Sequence, residues 1–240
     1  MSSSGERDGA ELLSDSEIGV IRRRARIIML LDAAERVGIA PLNAARLHAF
    51  TYLADVLSPV WDLPPFDGKI LKTEGGPHYP DIQQEIDRLV ALGLVEVSNL
   101  RYLNRPNGGA RLDCDYGLRL KSTHLSDILS ALGASERGQP LDPRDKDVHA
   151  FLVDLAGALA ILPNDQIERA ATVDATYADT RIGDTNIVDF ASWTGDAVKA
   201  NLSVRAAQRF SAFLPRDSRL SPGEKLYLYA SYLGKRINAR

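Results

Sequence analysis

Asp67 and Lys69 stand two residues apart in the stretch FDGKILK. A carboxylate and a lysine at that spacing on a strand can hold a divalent ion and polarise attack on a phosphodiester. Such a site needs a second acidic ligand, for which Asp62 is the nearest candidate. Asp-Gly-Lys is also an ordinary turn into a strand, and no other residue supports nuclease chemistry. Further on, DATYADTRIGDTNIVDF places Asp174, Asp179, Asp184 and Asp189 within one stretch. Four carboxylates in a loop can bind Ca²⁺ or Mg²⁺, but the spacing is not that of an EF-hand, and a solvated acidic loop or a protein contact is the plainer reading. Cys114 is the sole cysteine and reads as a small buried thiol. The histidines, His48, His78, His124 and His149, lie far apart, which leaves a zinc site open but unsupported. No phosphate-binding G-x-x-x-x-G-K-[ST] loop, C-x-x-C, H-E-x-x-H or G-x-S-x-G occurs. The chain therefore reads as a non-enzyme with no cofactor and no metal.

With 240 residues, 45% of them hydrophobic and 25% charged, the composition is that of a globular domain or two. A net charge of −3 gives no global basic field to attract nucleic acid. One cysteine precludes an intramolecular disulfide, and together with a polar, acidic start unlike a signal peptide this leads to the expectation of a cytoplasmic protein. No apolar run approaches the ~18 residues of a membrane-spanning helix. Charge is segregated along the chain. Residues 142–198 hold eleven acids against four bases, and residues 199–240 hold nine bases against two acids. The two parts can pack against each other, or the basic part can face nucleic acid or an acidic partner.

The elements that position these residues are mainly helical. Ser14 and Glu17 fit a capping box before a helix with apolar residues at Ile18, Ile21, Ile28 and Leu31, ended by Gly38. Arg22, Arg23, Arg24 and Arg26 on it read as a solvated face. A second helix carries Leu47, Phe50, Leu53, Ala54 and Leu57, with Pro59 ending it and His48 beside its stripe. A proline-rich connection leads to a short strand near Lys69–Lys72. Gly75, Gly76 and Pro77 make a turn, and Pro80 opens a third helix with Ile82, Ile86, Leu89 and Val90 on one face and Gly93 as its stop. A β-hairpin follows, from Leu94, Val95 and Val97 through NRPNGGAR to RLDCDYGLRL. The expected organisation is a disordered segment over 1–17, a winged helix-turn-helix domain over 18–132, a linker over 133–147, and a helical C-terminal domain over 148–240. In that last part Ser221, Pro222 and Glu224 form a capping box at the final helix. The fold class is mainly α with a small β-hairpin.

The run LHAFTYLADVLSPVW…DGKILKTEGGPHYPDIQQEIDRLVALGLVEV resembles two related bacterial groups. One is the Panacea antitoxin domain, whose winged-helix core has a similar Gly-Pro turn before a helix ending in Gly-Leu-Val. The other is the small middle component of ABC three-component conflict systems, in which it works with an SMC-like ATPase and an effector. The resemblance covers residues 25–120, and the helical C-terminal half suits the middle component better. It implies an adaptor subunit bridging the ATPase and the effector in a defence complex, with no catalytic residue; Gly76, Pro77 and Tyr79 would shape the turn.

A DNA-reading helix offers Arg, Lys, Asn or Gln near its N-terminus. The third helix offers Asp81, Gln83, Gln84, Glu85, Asp87 and one Arg88, an acidic set that phosphates repel. Tyr79, Asp81, Gln84, Glu85 and Arg88 are therefore expected to dock on protein. The alternative is a DNA-binding regulator or antitoxin, with weak DNA contact through Arg105 and Arg111 beside the wing and Arg205, Arg209, Lys235 and Arg236 in the basic tail.

Overall fold

The computed structural model describes residues 15–65, 69–104, 110–119, 125–134, 142–179, 183, 185, 187–189, 201–213 and 219–239. The fold is mainly helical, with two small antiparallel sheets. Helix α1 spans Asp15–Arg36, the short strand β1 Leu42–Asn43, and helix α2 Ala44–Leu57. A 3-10 turn over Ser58–Trp61, strands β2 Lys69–Thr73 and β3 Gly76–His78, and helix α3 Pro80–Ala91 follow. The hairpin is β4 Val95–Asn104 and β5 Ala110–Leu118. Helices α4 Leu125–Ala131, α5 Pro143–Leu159 and α6 Asn164–Val173, strand β6 Ile187–Asp189, and helices α7 Leu202–Arg209 and α8 Pro222–Asn238 complete the order.

Helix α2 buries all but Ala45 and Arg46. A helix apolar all round belongs in a core, and α2 sits among α6, α7, β1 and β3. Each fully buried side chain such as Phe50 or Leu53 contributes about 1.5–3 kcal/mol through lost apolar hydration. Asn43 caps α2, its side chain accepting from the Arg46 N–H at 2.8 Å.

Strand order β1-β5-β4 makes one sheet: Leu42 pairs with Tyr116, and the long hairpin carries a bulge between Ser98 and Arg101, with Asn99 at φ 50°. The second sheet, β3-β2-β6, was not expected. It joins Leu71 to Ile187 across the sequence, so part of the stretch read as an acidic loop is a strand. Gly76 sits at φ +121°, in the region open to glycine, with the Thr172 methyl 3.7 Å from where a Cβ would stand.

The stretch expected as a linker is partly helical. Asp142 accepts from the Arg144 N–H at 2.8 Å and Pro143 occupies the first turn, so α5 starts inside it. Beyond it, α5 packs on α1 and α8, and α6 packs on α2 and α8. One cluster of buried residues, including Ile28 and Phe50 before residue 133 and Phe151, Leu155 and Tyr229 after it, runs through both halves expected as separate domains. The capping box at α8 is present, with Ser221 and Glu224 exchanging hydrogen bonds at 3.2 and 2.7 Å. The Ser14 cap and the region 190–200 ahead of α7 lie outside the described residues. No single described helix is long and apolar enough to cross a membrane.

Candidate docking cleft

Helix α3 turns its surfaces differently from the expectation. Its end is a Schellman motif: Leu94 N–H reaches Leu89 O at 3.0 Å and Gly93 N–H reaches Val90 O at 2.9 Å, with Gly93 at φ +72°. Ile82, Ile86 and Leu89 are buried as expected. Glu85, however, is 2% exposed. It faces α1 and accepts from Arg24 at 2.6 Å and from Arg88 at 2.6 Å, because a carboxylate enters a core only when cations and donors accompany it. Asp81 stays exposed, 3.7 Å from Arg23. The basic cluster of α1 is thus not simply solvated: two of its arginines meet the acids of α3. Tyr79 is also inside, 1% exposed, donating its hydroxyl to Asp55 at 2.6 Å. Tyr79 and Glu85 are therefore removed from the expected docking face, which retains Asp81, Gln84 and Arg88, together with Asp87.

A cleft of about 540 Å³ opens between β5 and the turn joining β2 to β3. Leu112, Cys114 and Tyr116 line one side, Pro77 and His78 the other, and Gln83 of α3 one end. The Gln83 amide donates to the Tyr116 hydroxyl at 3.1 Å and to Asp87 at 3.0 Å, so Gln83 is held rather than offered. Burial, reinforced by a hydrogen bond with the Cys114 thiol, pushes the Tyr116 hydroxyl well above the usual tyrosine range. At the cleft wall His48 is buried; its Nδ1 accepts from the Tyr79 N–H at 3.4 Å, and its ring centre lies 4.9 Å from that of His78. The lining is amphipathic, with His48, His78, Asp113 and Glu168 beside Leu112, Pro77 and Tyr116.

The hairpin beside this cleft is unusually apolar outside. Tyr102 is 77% exposed and lies directly across from Leu112, 54% exposed, with Leu100 at 66%. On the other face of the hairpin Arg101 bridges Asp113 and Asp115 at 2.8 and 2.9 Å, a clamp across the strand pair. Sequence reasoning missed Leu100, Tyr102 and Leu112. The signal was available: LRYL places apolar residues at both strand parities, more than one buried face requires.

The carboxylates divide. Asp174 is fully buried, in contrast to the solvated loop expected. Its Oδ1 accepts from Tyr229 at 2.5 Å, and its Oδ2 from Tyr52 at 2.7 Å, Ser203 at 2.7 Å, Thr176 N–H at 2.9 Å and Tyr177 N–H at 3.3 Å. This polar knot ties α2, the turn after α6, α7 and α8 together. Burial, then the Asp174 charge, push the Tyr52 and Tyr229 hydroxyls well above their ordinary range. Asp62 is exposed at the end of the 3-10 turn. Asp67 and Asp184 lie outside the described residues, as does the side chain of Asp189. Among the described residues no group of three or more His, Cys, Asp or Glu is disposed to hold a metal.

Of the expected cationic residues, Arg105 and the side chain of Arg111 lie outside the described residues. Arg205 and Arg209 are exposed on α7, and Lys235 is exposed and Arg236 half-buried in the last turn of α8. A ring contact between Phe210 and Tyr232 joins the two helices. Compared with known proteins, the chain matches no family model, no curated protein and no solved structure.

Proposed function

We propose that the chain is a non-enzymatic winged-helix adaptor of a bacterial defence complex, bridging an SMC-like ATPase and an effector. Three helices, the order β1-β5-β4 and a long terminal hairpin support the winged-helix reading, with β2 and β3 as an insertion before the third helix. The observation that carries the adaptor role is the exposed apolar face of the hairpin. Leu100, Tyr102 and Leu112 form an unsatisfied apolar rim beside an amphipathic cleft, the kind of surface that marks a protein interface. The outward face of α3 supports the same reading. Asp81 and Asp87 face outward there, and the one arginine, Arg88, is held by Glu85.

The second reading, a DNA-binding regulator or antitoxin, draws on exposed Gln84, which is free of the bonds that hold Gln83 and is able to read an adenine edge. The deciding experiment is co-purification with the products of the neighbouring genes. Replacing exposed Tyr102 and Leu112 by Asp should weaken association by tenfold or more, since interface anchors are worth about 2 kcal/mol or more each, while leaving the thermal midpoint unchanged. Intact association in that variant, with sequence-specific duplex binding abolished by Gln84→Ala, would transfer the assignment to the regulator.

A further inference from the structure

The basic C-terminal stretch, nine bases against two acids over residues 199–240, is the charged feature that the adaptor reading leaves unused. Part of it has a local explanation. Arg209, Lys235 and Arg236 lie in the last turns of α7 and α8, where cations complement the helix dipole. The aromatic residues beside them have no such explanation. Phe213 is 84% exposed in the 3-10 turn that extends α7, the most open large apolar side chain described. Tyr232 is 37% exposed; its ring centre lies 6.4 Å from that of Phe210 in an edge contact, and the Arg236 guanidinium sits 5.7 Å over it. Arg205 and Arg209, four residues apart, share one side of α7 and are exposed, as is Lys235. Asp154 and Glu224 belong to the opposite end of α8, about 16 Å from Lys235 at the helical rise. Asp165 starts α6 near the C-terminus of α8, where Gln166 bonds Asn238, and Arg169 of the same helix offsets it.

We infer that the ledge formed by α7 and α8 is a platform for single-stranded nucleic acid, with bases stacking on Phe213 and Tyr232 and phosphates running along Arg205, Arg209, Lys235 and Arg236. Open rings interleaved with cations are what sequence-tolerant binding of unpaired strands requires. An acidic protein partner fits less well, because aromatic anchors at protein interfaces fill pockets, whereas the Phe213 ring is open to solvent. A duplex fits less well because its bases are already stacked. The platform lies on elements other than the hairpin, so the chain would carry one surface for protein and another for nucleic acid.

Fluorescence anisotropy of the full chain with a labelled polythymidine of about 20 nucleotides, and with the matching duplex, tests this. The single strand should bind at least tenfold tighter than the duplex, and its affinity should fall with salt at about −0.7 in log–log slope per phosphate neutralised. Phe213→Ala should weaken binding about tenfold and leave that slope unchanged, as a lost stacking contact does. Arg209→Glu with Lys235→Glu should weaken it further and flatten the slope. Phe213 is exposed, so Phe213→Ala should leave thermal unfolding unaffected; the two charge reversals remove cations from helix C-termini and should lower the midpoint slightly while the chain stays folded. Tyr102→Asp with Leu112→Asp should bind the oligonucleotide as the unaltered chain does. Absence of binding at low salt would overturn the assignment. So would binding indifferent to Phe213→Ala and matched by the duplex or competed equally by polyglutamate, which would leave a general cationic patch. Loss of oligonucleotide binding in the hairpin variant would place the site elsewhere.

Discussion

Replacing Asp174 by Ala is expected to damage the whole fold, because the carboxylate is an acceptor shared by residues distant in sequence. Removing it takes away the acceptor of the Tyr52 and Tyr229 hydroxyls inside the core, where the two residues are 1% and 0% exposed. A buried donor deprived of its acceptor costs about 1–3 kcal/mol. Ser203 suffers less, since the Thr176 hydroxyl remains 2.6 Å away. Two stranded tyrosines, the Tyr177 N–H and a small cavity then sum to about 3–5 kcal/mol, against a total stability of about 5–15 kcal/mol for a globular protein. At about 2–4 °C per kcal/mol for a chain of this size, the thermal midpoint should fall about 6–20 °C. Asp174→Asn separates acceptor count from side-chain size. Oδ2 takes four donors and Oδ1 takes one, so an amide oxygen turned towards the crowded side satisfies the majority, and the Tyr229 hydroxyl can rotate to accept from the amide nitrogen. Its cost should be about 1–2 kcal/mol. Urea titration of the three proteins gives the numbers, and a chelator added to the unaltered protein should leave the midpoint where it is. An Ala variant within about 1 kcal/mol of the unaltered chain, or an Asn variant no better than Ala, would refute the acceptor reasoning. A chelator-induced loss of stability would restore the metal reading of the acidic stretch.

Charge reversal within α3 should sort its residues by burial. Glu85→Lys puts a third cation between Arg24 and Arg88 in a buried position and should cost about 3–5 kcal/mol or prevent folding; Asp81→Lys, at an exposed ion pair, should shift urea stability by less than about 1 kcal/mol. Equal effects at both positions would contradict the placement of Glu85. Alkaline titration should divide the eight tyrosines. Tyr52, Tyr116 and Tyr229 have hydroxyls harder to ionise in the folded chain than the ordinary value of 10.0, so they contribute stability that is present below that pH and is lost as pH rises beyond it. Absorbance near 295 nm should show them ionising only together with unfolding, above the range of the exposed tyrosines; smooth titration of all eight near pH 10 in a folded chain would contradict their burial.

The residues that punctuate the chain determined much of the secondary structure by themselves. Pro80 and Gly93 bound α3, and Ser221, Pro222 and Glu224 open α8, because capping and glycine or proline dihedrals are satisfied within a few residues. The apolar stripe of Ile82, Ile86 and Leu89 likewise marked the buried side of α3 from spacing alone. Which polar residues go inside was decided only by tertiary structure. Glu85 and Tyr79 look like surface residues in the sequence and are buried because Arg24 on α1 and Asp55 on α2 await them. Asp174 reads as one of four loop carboxylates, yet its donors come from positions 52, 203 and 229. The second sheet escaped for the same reason, since β2 finds β6 more than a hundred residues away, and a two- or three-residue strand carries no periodicity to detect. Burial of a charge depends on the sum of partners brought from elsewhere in the chain, and local spacing holds no record of that sum.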